Sequence, residues 1–589
     1  MPVLKPGLIF SLFLLWVSFS LNSMANDDTL RHSAAGPIKG QVDANGALSW
    51  RGIPYAQPPV GVLRWKAPRA HKPFDEVFTA AQFGDMCPQL GTPLLDIDPS
   101  LYGKAIGSED CLTLNIWSPP AQAATNQDSR SLPVMVWVHG GSNVGGGSSL
   151  YNGGNLAVEQ EVVVVTINYR LGLLGFFSHP SLRETAETEL DKSSNFGILD
   201  IVQALKWVRE NIAAFGGDPS NVTLFGESAG AMNTVTLLYS PLSKGLFHKA
   251  IVQSGSLRQT PIEVAEQFTD DDRSEFSSSE TAAKILLNRS AAESPEQARD
   301  MVAGLDNPAF IQLMSSASDD ELIGTYTLDI GARIRVPQCI PDGIVIPEGS
   351  PWELITDSQQ VHKVPVMLGS NRDEMKFFLG LSPAYVTIVP GSSIQIHDVQ
   401  RYNLHARYLS DRWTALGVDE LALRLSTHNP GVFTYRFDWD QQPSYPQADF
   451  KEFFGAAHTM EIPFVFNEFV EMKAFAYHFT DKNRSEREEL AAEMGEYWAE
   501  FAYTGRPGKG RSGTLQQWPS WGSGSKLLLD AKSDGGVRPQ QGVLTMKSIY
   551  ERFLADESFT SPEEKAAFFQ AMFRGREAWE SYFLPQLEK

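Results

Sequence analysis

The sequence has few cysteines and histidines, and fewer basic than acidic residues. Its 589 residues include only three cysteines and 11 histidines, without ligand spacing among them, so we expect no metal and no other cofactor. Positive charge is also scarce, because 49 Lys and Arg stand against 70 Asp and Glu, giving a formal net charge of −21. Such an acidic chain is repelled by nucleic acid and by anionic membrane surfaces. Its 42% of hydrophobic residues still suffice for a large core.

Long apolar runs are missing, except near the N-terminus. Lys5 precedes an apolar stretch over residues 7–21, and Ser23 and Ala25 then supply the small residues that a signal peptidase needs. The stretch is short for a membrane span, and no stop-transfer pattern follows it. We therefore interpret residues 1–25 as a secretory signal peptide, with the mature chain secreted or periplasmic and without stable membrane insertion. A retained N-terminal anchor is the alternative.

The three cysteines fit an oxidising compartment. Cys87 and Cys111 are close enough in sequence to close a surface loop by a disulfide bond. Closing a loop of that length stabilises a fold by about 3 kcal/mol on the chain-entropy model. Cys339 is then left over, and we expect it to be a buried, unreactive thiol.

Strand-like and helix-like patterns alternate along the chain. Apolar, β-branched runs predict buried strands, and spacings of three and four predict amphipathic helices between them. The predicted strands are residues 133–138, 162–168, 222–225, 364–368 and 432–437, and the clearest helices are residues 198–215, 231–238 and 484–503. This alternation implies a mostly parallel sheet covered by helices on both faces. We expect residues 26–589 to form a single α/β domain, with the polar, largely helical stretches 258–345 and 375–430 inserted above the sheet.

A candidate nucleophile lies between a predicted strand and a predicted helix. Residues 226–230 read Gly-Glu-Ser-Ala-Gly, which fits the nucleophile elbow around Ser228. A serine hydroxyl needs a sharp turn that presents it to a base. Crowding at such a turn requires very small residues two positions before and after the serine, and both are glycine here. The positive end of the following helix would favour a developing oxyanion. The pentapeptide alone is common by chance, but its place between strand and helix indicates a nucleophile.

Two further segments would complete such a site. Residues 139–142 read His-Gly-Gly-Ser after the first buried strand, where backbone N–H groups can point at an oxyanion. A merely flexible glycine loop is the alternative, since residues 145–147 are also glycines. In hydrolases with this elbow, an acid and then a histidine follow the serine along the chain. Among the five histidines after Glu374, only His458 falls in a glycine-led loop soon after a strand, and residues 369–374 end in the carboxylates Asp373 and Glu374.

The sequence around these motifs resembles the type-B carboxylesterases, the cholinesterase-like family. Residues 215–230 (FGGDPSNVTLFGESAG) resemble its nucleophile signature, and residues 109–117 (EDCLTLNIW) resemble its second signature. Three more runs agree, namely residues 52–56 (GIPYA), 168–172 (NYRLG) and 458–463 (HTMEIP). The similarity extends from about Gly36 to residues 518–519, which is nearly the whole mature chain.

The resemblance implies an α/β-hydrolase fold, with a mostly parallel central sheet flanked by helices and helical insertions over the active site. It implies a Ser228–Glu374–His458 triad, with Asp373 as the alternative acid. It implies an oxyanion hole made by the N–H groups of Gly141, Ser142 and Ala229, and it supports the pairing of Cys87 with Cys111. We expect burial and the Glu374 carboxylate to offset each other, so that the pKa of His458 stays within about one unit of 6.5.

The sequence also departs from the family pattern. Ser142 and Asn143 stand where members commonly carry Gly or Ala and then an aromatic residue, so we expect a polar acyl side of the pocket. Met375 replaces a usual glycine after Glu374. Residues 88–110 contain no tryptophan, whereas cholinesterases hold their quaternary ammonium on a tryptophan in this loop. Choline esters are therefore not the expected physiological substrate.

The expected activity is that of a serine carboxylesterase, which hydrolyses small-molecule esters through an acyl-enzyme on Ser228 and needs no cofactor. A lipase or an amidase with the same triad is the first alternative, since the insertions set acyl-chain length and leaving group. A catalytically inactive binding module is the second alternative. Such modules often lose the serine, whereas Ser228, Glu374 and His458 are all present here.

Overall fold

A computed structural model describes residues 28–120, 131–268, 276–326, 336–389, 393–470, 477–522 and 524–573. The signal peptide assigned to residues 1–25 lies outside these ranges and stays a prediction. Across the described ranges, no helix is both long enough and apolar enough to cross a membrane.

An eleven-stranded sheet forms the centre of the molecule. In chain order its strands are β1 (Gln41–Val42), β2 (Leu48–Pro54), β3 (Thr113–Ser118), β4 (Leu132–Val138), β5 (Val163–Ile167), β6 (Gly217–Glu227), β7 (Lys249–Gln253), β8 (Val366–Asn371), β9 (Val432–Phe437), β10 (Ser525–Leu529) and β11 (Arg538–Gln541). Their order in space is β11-β10-β9-β8-β7-β6-β4-β5-β3-β2-β1. The seven strands from β10 to β5 run parallel, and the pairs toward both edges are antiparallel. The predicted mostly parallel sheet is therefore confirmed.

Helices cover the sheet and form the insertions. The α-helices are Gly154–Gln160, Gly172–Gly175, Pro180–Glu184, Phe196–Asn211, Ala229–Tyr239, Ile262–Glu266, Ser278–Asn288, Pro295–Ala303, Asn307–Ser315, Asp319–Ile323, Pro351–Thr356, Glu374–Gly380, Val399–Thr414, Glu420–Leu425, Phe450–Phe453, Ile462–Phe466, Arg484–Thr504, Met546–Ala555 and Pro562–Phe573. Helices dominate the described parts of both predicted insertions, but the second also contains a hairpin that the sequence did not predict, Val386–Val389 paired with Ser393–Ile396. Among the described residues, this hairpin is one of four smaller strand groups outside the central sheet. The others are Leu30–Ser33 with Gly36–Lys39 and Phe78–Thr79, Gln89–Leu90 with Ala105–Ile106, and Ser444–Tyr445 with Ala448–Asp449.

Strand β4 shows why the sheet is buried on both faces. Successive side chains of a strand point to opposite faces. Val134 and Val136 accordingly join one apolar core, with the helix Phe196–Asn211, whereas Met135 and Trp137 join a second core, with the helix Arg484–Thr504. A strand packed on both faces is apolar throughout, which is why its sequence reads as an unbroken apolar run.

The three cysteines are divided between one disulfide bond and one free thiol. Cys87 and Cys111 are joined by a disulfide bond in the structure, which closes a loop across a sequence separation of 24. Cys339 is a free, buried thiol. Burial raises the pKa of this thiol to about 11, which keeps it protonated and unreactive at neutral pH.

Candidate active site

The predicted elbow lies between β6 and the helix Ala229–Tyr239. Ser228 is the single residue between them, with φ 55° and ψ −120°. A positive φ is unfavourable for a residue with a Cβ, and such conformations persist where the surroundings hold them in place. Here the Ser228 N–H donates to the carbonyl oxygen of Gln253 at the end of β7, at 2.9 Å. The strained turn therefore presents the serine at the carboxyl edge of the parallel strands.

Both glycines of the elbow face backbone rather than open space. A Cβ on Gly230 would lie 1.9 Å from the carbonyl oxygen of Val138, and a Cβ on Gly226 would lie 2.6 Å from the same oxygen. Neither distance leaves room for a side chain, which explains the glycines on either side of Ser228. The elbow thus packs tightly against the end of β4, where the glycine loop begins.

Glu374 and His458 meet although 84 residues separate them. Glu374 directly follows the loop after β8, and its carboxylate accepts a hydrogen bond from His458 Nδ1–H at 2.6 Å. The other carboxylate oxygen accepts from Ser254 Oγ at 2.5 Å and from the Asn371 N–H at 2.7 Å. Both carboxylate oxygens are therefore engaged, and the buried Glu374 fixes the orientation of the imidazole.

Asp373, the alternative acid, points elsewhere. Its Oδ2 accepts hydrogen bonds from the Arg372 guanidinium at 2.8 Å and from the Ala456 N–H at 3.1 Å. The adjacent Glu374, and not Asp373, contacts the imidazole of His458.

A second carboxylate lies beside the histidine. His458 Nε2 is 3.1 Å from Oε1 of Glu227, the residue that precedes Ser228, and both side chains are buried. Glu461 lies in the same buried cluster, where it accepts hydrogen bonds from Asn371 and Gln253. Sequence reasoning gave neither Glu227 nor Glu461 a role. The available signals were weak: Glu227 occupies the variable position of the elbow pentapeptide, and Glu461 follows His458 by three residues.

These carboxylates change the proton affinity of the imidazole. Burial opposes the charged form of His458, but the charges of Glu227 and Glu374 outweigh it and raise the pKa of His458 to about 9. The expected pKa within about one unit of 6.5 is therefore wrong, because it set burial against Glu374 and left out the charge of Glu227. Burial in turn raises the pKa of Glu227 well above its usual value. The two groups form a coupled pair in which each side chain affects the protonation of the other.

Aromatic rings surround the other side of the histidine. The ring centroids of Trp413, Phe378 and Phe377 lie 4.8, 5.1 and 6.0 Å from that of His458. All three rings are half-buried, and Phe378 stacks on Trp413 at 5.8 Å. The candidate site thus has an apolar, aromatic wall next to its ionisable residues.

The glycine loop turns back on itself directly after β4. Gly141, Ser142 and Asn143 all have positive φ, and the N–H groups of Val144 and Gly145 donate to the Gly141 carbonyl oxygen. In the part of the chain that the structure describes, no acceptor takes a hydrogen bond from the N–H of Gly141, Ser142 or Ala229. These are the three groups predicted to form the oxyanion hole.

The second run of glycines is held in place by one buried side chain. Gln89 Nε2 donates to the Gly146 carbonyl oxygen at 2.8 Å, and the Gly146 N–H donates to Gln89 Oε1 at 2.7 Å. Gln89 lies in the disulfide-closed loop, so that loop and the oxyanion loop are tied together. These hydrogen bonds oppose the alternative of a merely flexible glycine loop.

One expectation about the pocket is wrong for Asn143. Its side chain is fully buried and bonded to Asn233, so its polarity is satisfied inside the protein and does not line the acyl side. Ser142 is only half-buried, and its contribution to a polar pocket stays a prediction.

The described residues include no group of three or more His, Cys, Asp or Glu side chains that could hold a metal ion.

A carboxylate-bound histidine and an elbow serine at the carboxyl edge of a mostly parallel sheet define the class of α/β-hydrolases.

Comparison with known proteins identifies the family within that class. The model of the carboxylesterase family matches residues 27–396 and 392–544. Para-nitrobenzyl esterase of Bacillus subtilis is 33% identical over 529 residues, which cover 84% of this chain and 94% of that protein. Acylcarnitine hydrolase of Mus musculus is 31% identical over 560 residues, covering 87% and 89% of the two chains. The chain belongs to the carboxylesterase family.

Solved structures agree with this assignment. A thermophilic PNB esterase superimposes with a TM-score of 0.61 at 31% identity, and the match covers 87% of this chain and 97% of the other. A carboxylesterase of Geobacillus stearothermophilus gives a TM-score of 0.63 at 29% identity with the same coverage. The protein has the α/β-hydrolase fold and is a serine carboxylesterase that hydrolyses carboxylic ester bonds.

Proposed function

We propose that Ser228 is the nucleophile of this carboxylesterase, with His458 as its base and Glu374 as the acid that orients the base. The observation that carries the proposal is the 2.6 Å hydrogen bond between His458 and Glu374 beside the strained elbow that presents Ser228. A nucleophile, a base and a group that orients the base are the three parts that such catalysis needs.

The reaction follows from these positions. Ser228 Oγ attacks the ester carbonyl while His458 Nε2 takes its proton, and Glu374 stabilises the resulting imidazolium. The N–H groups of Gly141, Ser142 and Ala229 stabilise the tetrahedral oxyanion. His458 then gives the proton to the leaving alcohol, and a water molecule hydrolyses the acyl-enzyme by the same steps.

Glu227 has a defined place in this cycle. His458 Nε2, the nitrogen that must accept the proton, contacts Glu227 Oε1 at 3.1 Å. We infer that Nε2 exchanges this carboxylate for Ser228 Oγ during catalysis. Catalytic hydrogen bonds often tighten only once substrate is bound, which allows such an exchange.

The aromatic wall supports esters with an apolar group as substrates. Phe377, Phe378 and Trp413 offer flat, half-buried surfaces next to His458, where an acyl or alcohol group would lie. The name of the related para-nitrobenzyl esterase points to the same kind of substrate. Hydrolysis rates across p-nitrophenyl esters of graded chain length, a triglyceride and an anilide separate an esterase from a lipase or an amidase.

We also propose that the protein is secreted or periplasmic and that its mature chain forms a single hydrolase domain. The apolar N-terminal stretch and the Cys87–Cys111 disulfide support a mature, secreted or periplasmic chain beginning at Asn26. The continuous sheet supports one hydrolase domain from there to the C-terminus.

Replacing Ser228 by alanine tests the central proposal. We expect turnover of p-nitrophenyl butyrate to fall on the order of a million-fold, because the nucleophile is removed. Ser220→Ala is the matched control, since Ser220 lies exposed on the same strand and should leave turnover unchanged. Circular dichroism checks the fold of both variants. Turnover near the wild-type value in Ser228→Ala would refute the assignment.

A further inference from the structure

Two asparagine side chains form a buried pair beneath the oxyanion loop. Asn143 Nδ2 donates to Asn233 Oδ1 at 3.2 Å, and Asn233 Nδ2 donates to Asn143 Oδ1 at 2.9 Å. Both residues are 0% exposed. Asn143 belongs to the loop after β4, and Asn233 lies one turn along the helix Ala229–Tyr239. The pair therefore joins the loop that carries two of the candidate oxyanion donors to the helix that carries the third.

Further contacts hold Asn143 at both its side chain and its backbone. The buried Tyr169 hydroxyl lies 3.1 Å from Asn143 Oδ1 and 2.8 Å from the His139 carbonyl oxygen. The Gly172 N–H donates to the Asn143 carbonyl oxygen at 2.6 Å. A buried polar network in which each member is satisfied fixes one arrangement, because any displacement leaves a polar group without a partner in a medium of low dielectric.

The backbone of the loop needs such support. Ser142 and Asn143 are consecutive residues with φ 57°, in the left-handed region that L-residues avoid. Asparagine adopts this conformation more readily than most residues do. The same turn leaves the N–H groups of Gly141 and Ser142 without an acceptor among the described residues.

We propose that Asn143 and Asn233 are positioning residues, whose amide pair sets the place of the Gly141 and Ser142 N–H groups relative to Ser228. This inference rests on the proposed oxyanion hole. Donors aimed at a developing charge act mainly on the transition state, so their displacement lowers kcat rather than raising KM. Asn143 and Asn233 thus act on the rate without touching the substrate.

The test uses Asn143→Gly and Asn233→Ala in the full-length protein. Glycine adopts the positive φ without strain and removes the side chain together with its amide, so a loss of activity does not come from an unfavourable φ at this position. For each variant we expect kcat for p-nitrophenyl butyrate to fall about 10- to 100-fold, as misplaced catalytic groups do, with KM within about threefold. Affinity for an alkyl trifluoromethyl ketone, which forms a tetrahedral oxyanion on the serine, should fall by a similar factor.

Two comparisons separate positioning from general stability. Because both variants break one interaction, Asn143→Gly/Asn233→Ala should lose no more than the worse single variant. Asn211→Ala is the matched control: Asn211 is a buried asparagine that bonds the Ala35 N–H and the Trp207 carbonyl oxygen, at the end of the helix Phe196–Asn211. It should lower Tm without changing kcat or ketone affinity. If Asn143→Gly does not fold, Asn233→Ser takes its place, with the same expected losses of kcat and of ketone affinity.

Each outcome separates this inference from the proposed function. Wild-type kcat and ketone affinity in the folded Asn variants, with Ser228→Ala inactive, would overturn the positioning role and leave the nucleophile in place. Equal kcat losses in the Asn variants and in Asn211→Ala would also overturn it, since stability alone would then explain the effect. An active Ser228→Ala would overturn the proposed function itself.

Discussion

Replacing Glu227 by glutamine should move the acid limb of the activity profile to lower pH. The carboxylate lies 3.1 Å from His458 Nε2 and favours the protonated imidazole, whose pKa is raised to about 9. In the proposed mechanism only the neutral imidazole can accept the Ser228 proton, so this pKa governs the loss of activity toward acid. Glutamine keeps the shape of the side chain and removes its charge.

The distance sets the size of the effect. At 3.1 Å and an effective dielectric constant of about 20, a full charge pair attracts by about 5 kcal/mol, equivalent to about four pKa units. Burial raises the pKa of Glu227 itself, so the carboxylate carries only part of its charge when it is coupled to the imidazole. We therefore expect the acid limb of kcat/KM to move down by about one to two pH units.

A graded control identifies the source of the shift. Glu461 is equally buried but acts on His458 more weakly than Glu227 or Glu374, and its carboxylate is bound by Asn371 and Gln253. Glu461→Gln should therefore move the limb less than Glu227→Gln does. The assay is kcat/KM for p-nitrophenyl butyrate from pH 5 to 10, corrected for spontaneous hydrolysis. An acid limb that stays in place or moves to higher pH in Glu227→Gln would refute the reasoning.

Two further predictions concern stability. Replacing Cys87 and Cys111 together by serine should lower the free energy of unfolding by about 3 kcal/mol, since their disulfide bond closes a loop across 24 residues. Peptide mapping of the non-reduced wild-type protein should find this bond and a free Cys339. A disulfide bond to Cys339 would contradict the prediction. Burial lowers the pKa values of His139, His405 and His478 to about 4. Below the unfolded pKa of about 6.5 the unfolded chain therefore binds protons that these buried histidines do not, so stability is full above about pH 6.5 and is lost as the pH falls toward 4. Urea denaturation should show that the free energy of unfolding falls between pH 7.5 and 4.5. In His405→Phe this fall with pH should be shallower, by up to about 1.4 kcal/mol per pH unit. The same fall with pH in that variant and in the wild type would count against this account.

Local sequence was enough to predict the elbow and the strands that carry it. The glycines at positions 226 and 230 are required by contacts of the turn with Val138, so the pentapeptide encodes its own geometry. Strands β4 and β5 are packed on both faces, and their unbroken apolar runs signal this directly. The hairpin Val386–Val389 with Ser393–Ile396 was missed, because exposed residues along it leave no clear apolar period.

The tertiary structure alone decided which neighbouring groups surround the histidine. Asp373 and Glu374 are adjacent and chemically alike, and only the packing of their loop turns Glu374 to His458 and Asp373 to Arg372. The same holds for Asn143, whose side chain turns inward to Asn233.

The sequence by itself thus determined the class of fold and the elbow, since burial periodicity and turn sterics act over a few neighbouring positions. Its resemblance to the carboxylesterases predicted Glu374 and His458 as the partners of Ser228. The structure decided the direction of each side chain and the electric field at His458. That field comes from Glu227 and Glu374, which are distant in the chain and are brought within 3.1 Å of the imidazole by the sheet. Coulomb energies depend on distances in space, and a linear sequence does not state those distances.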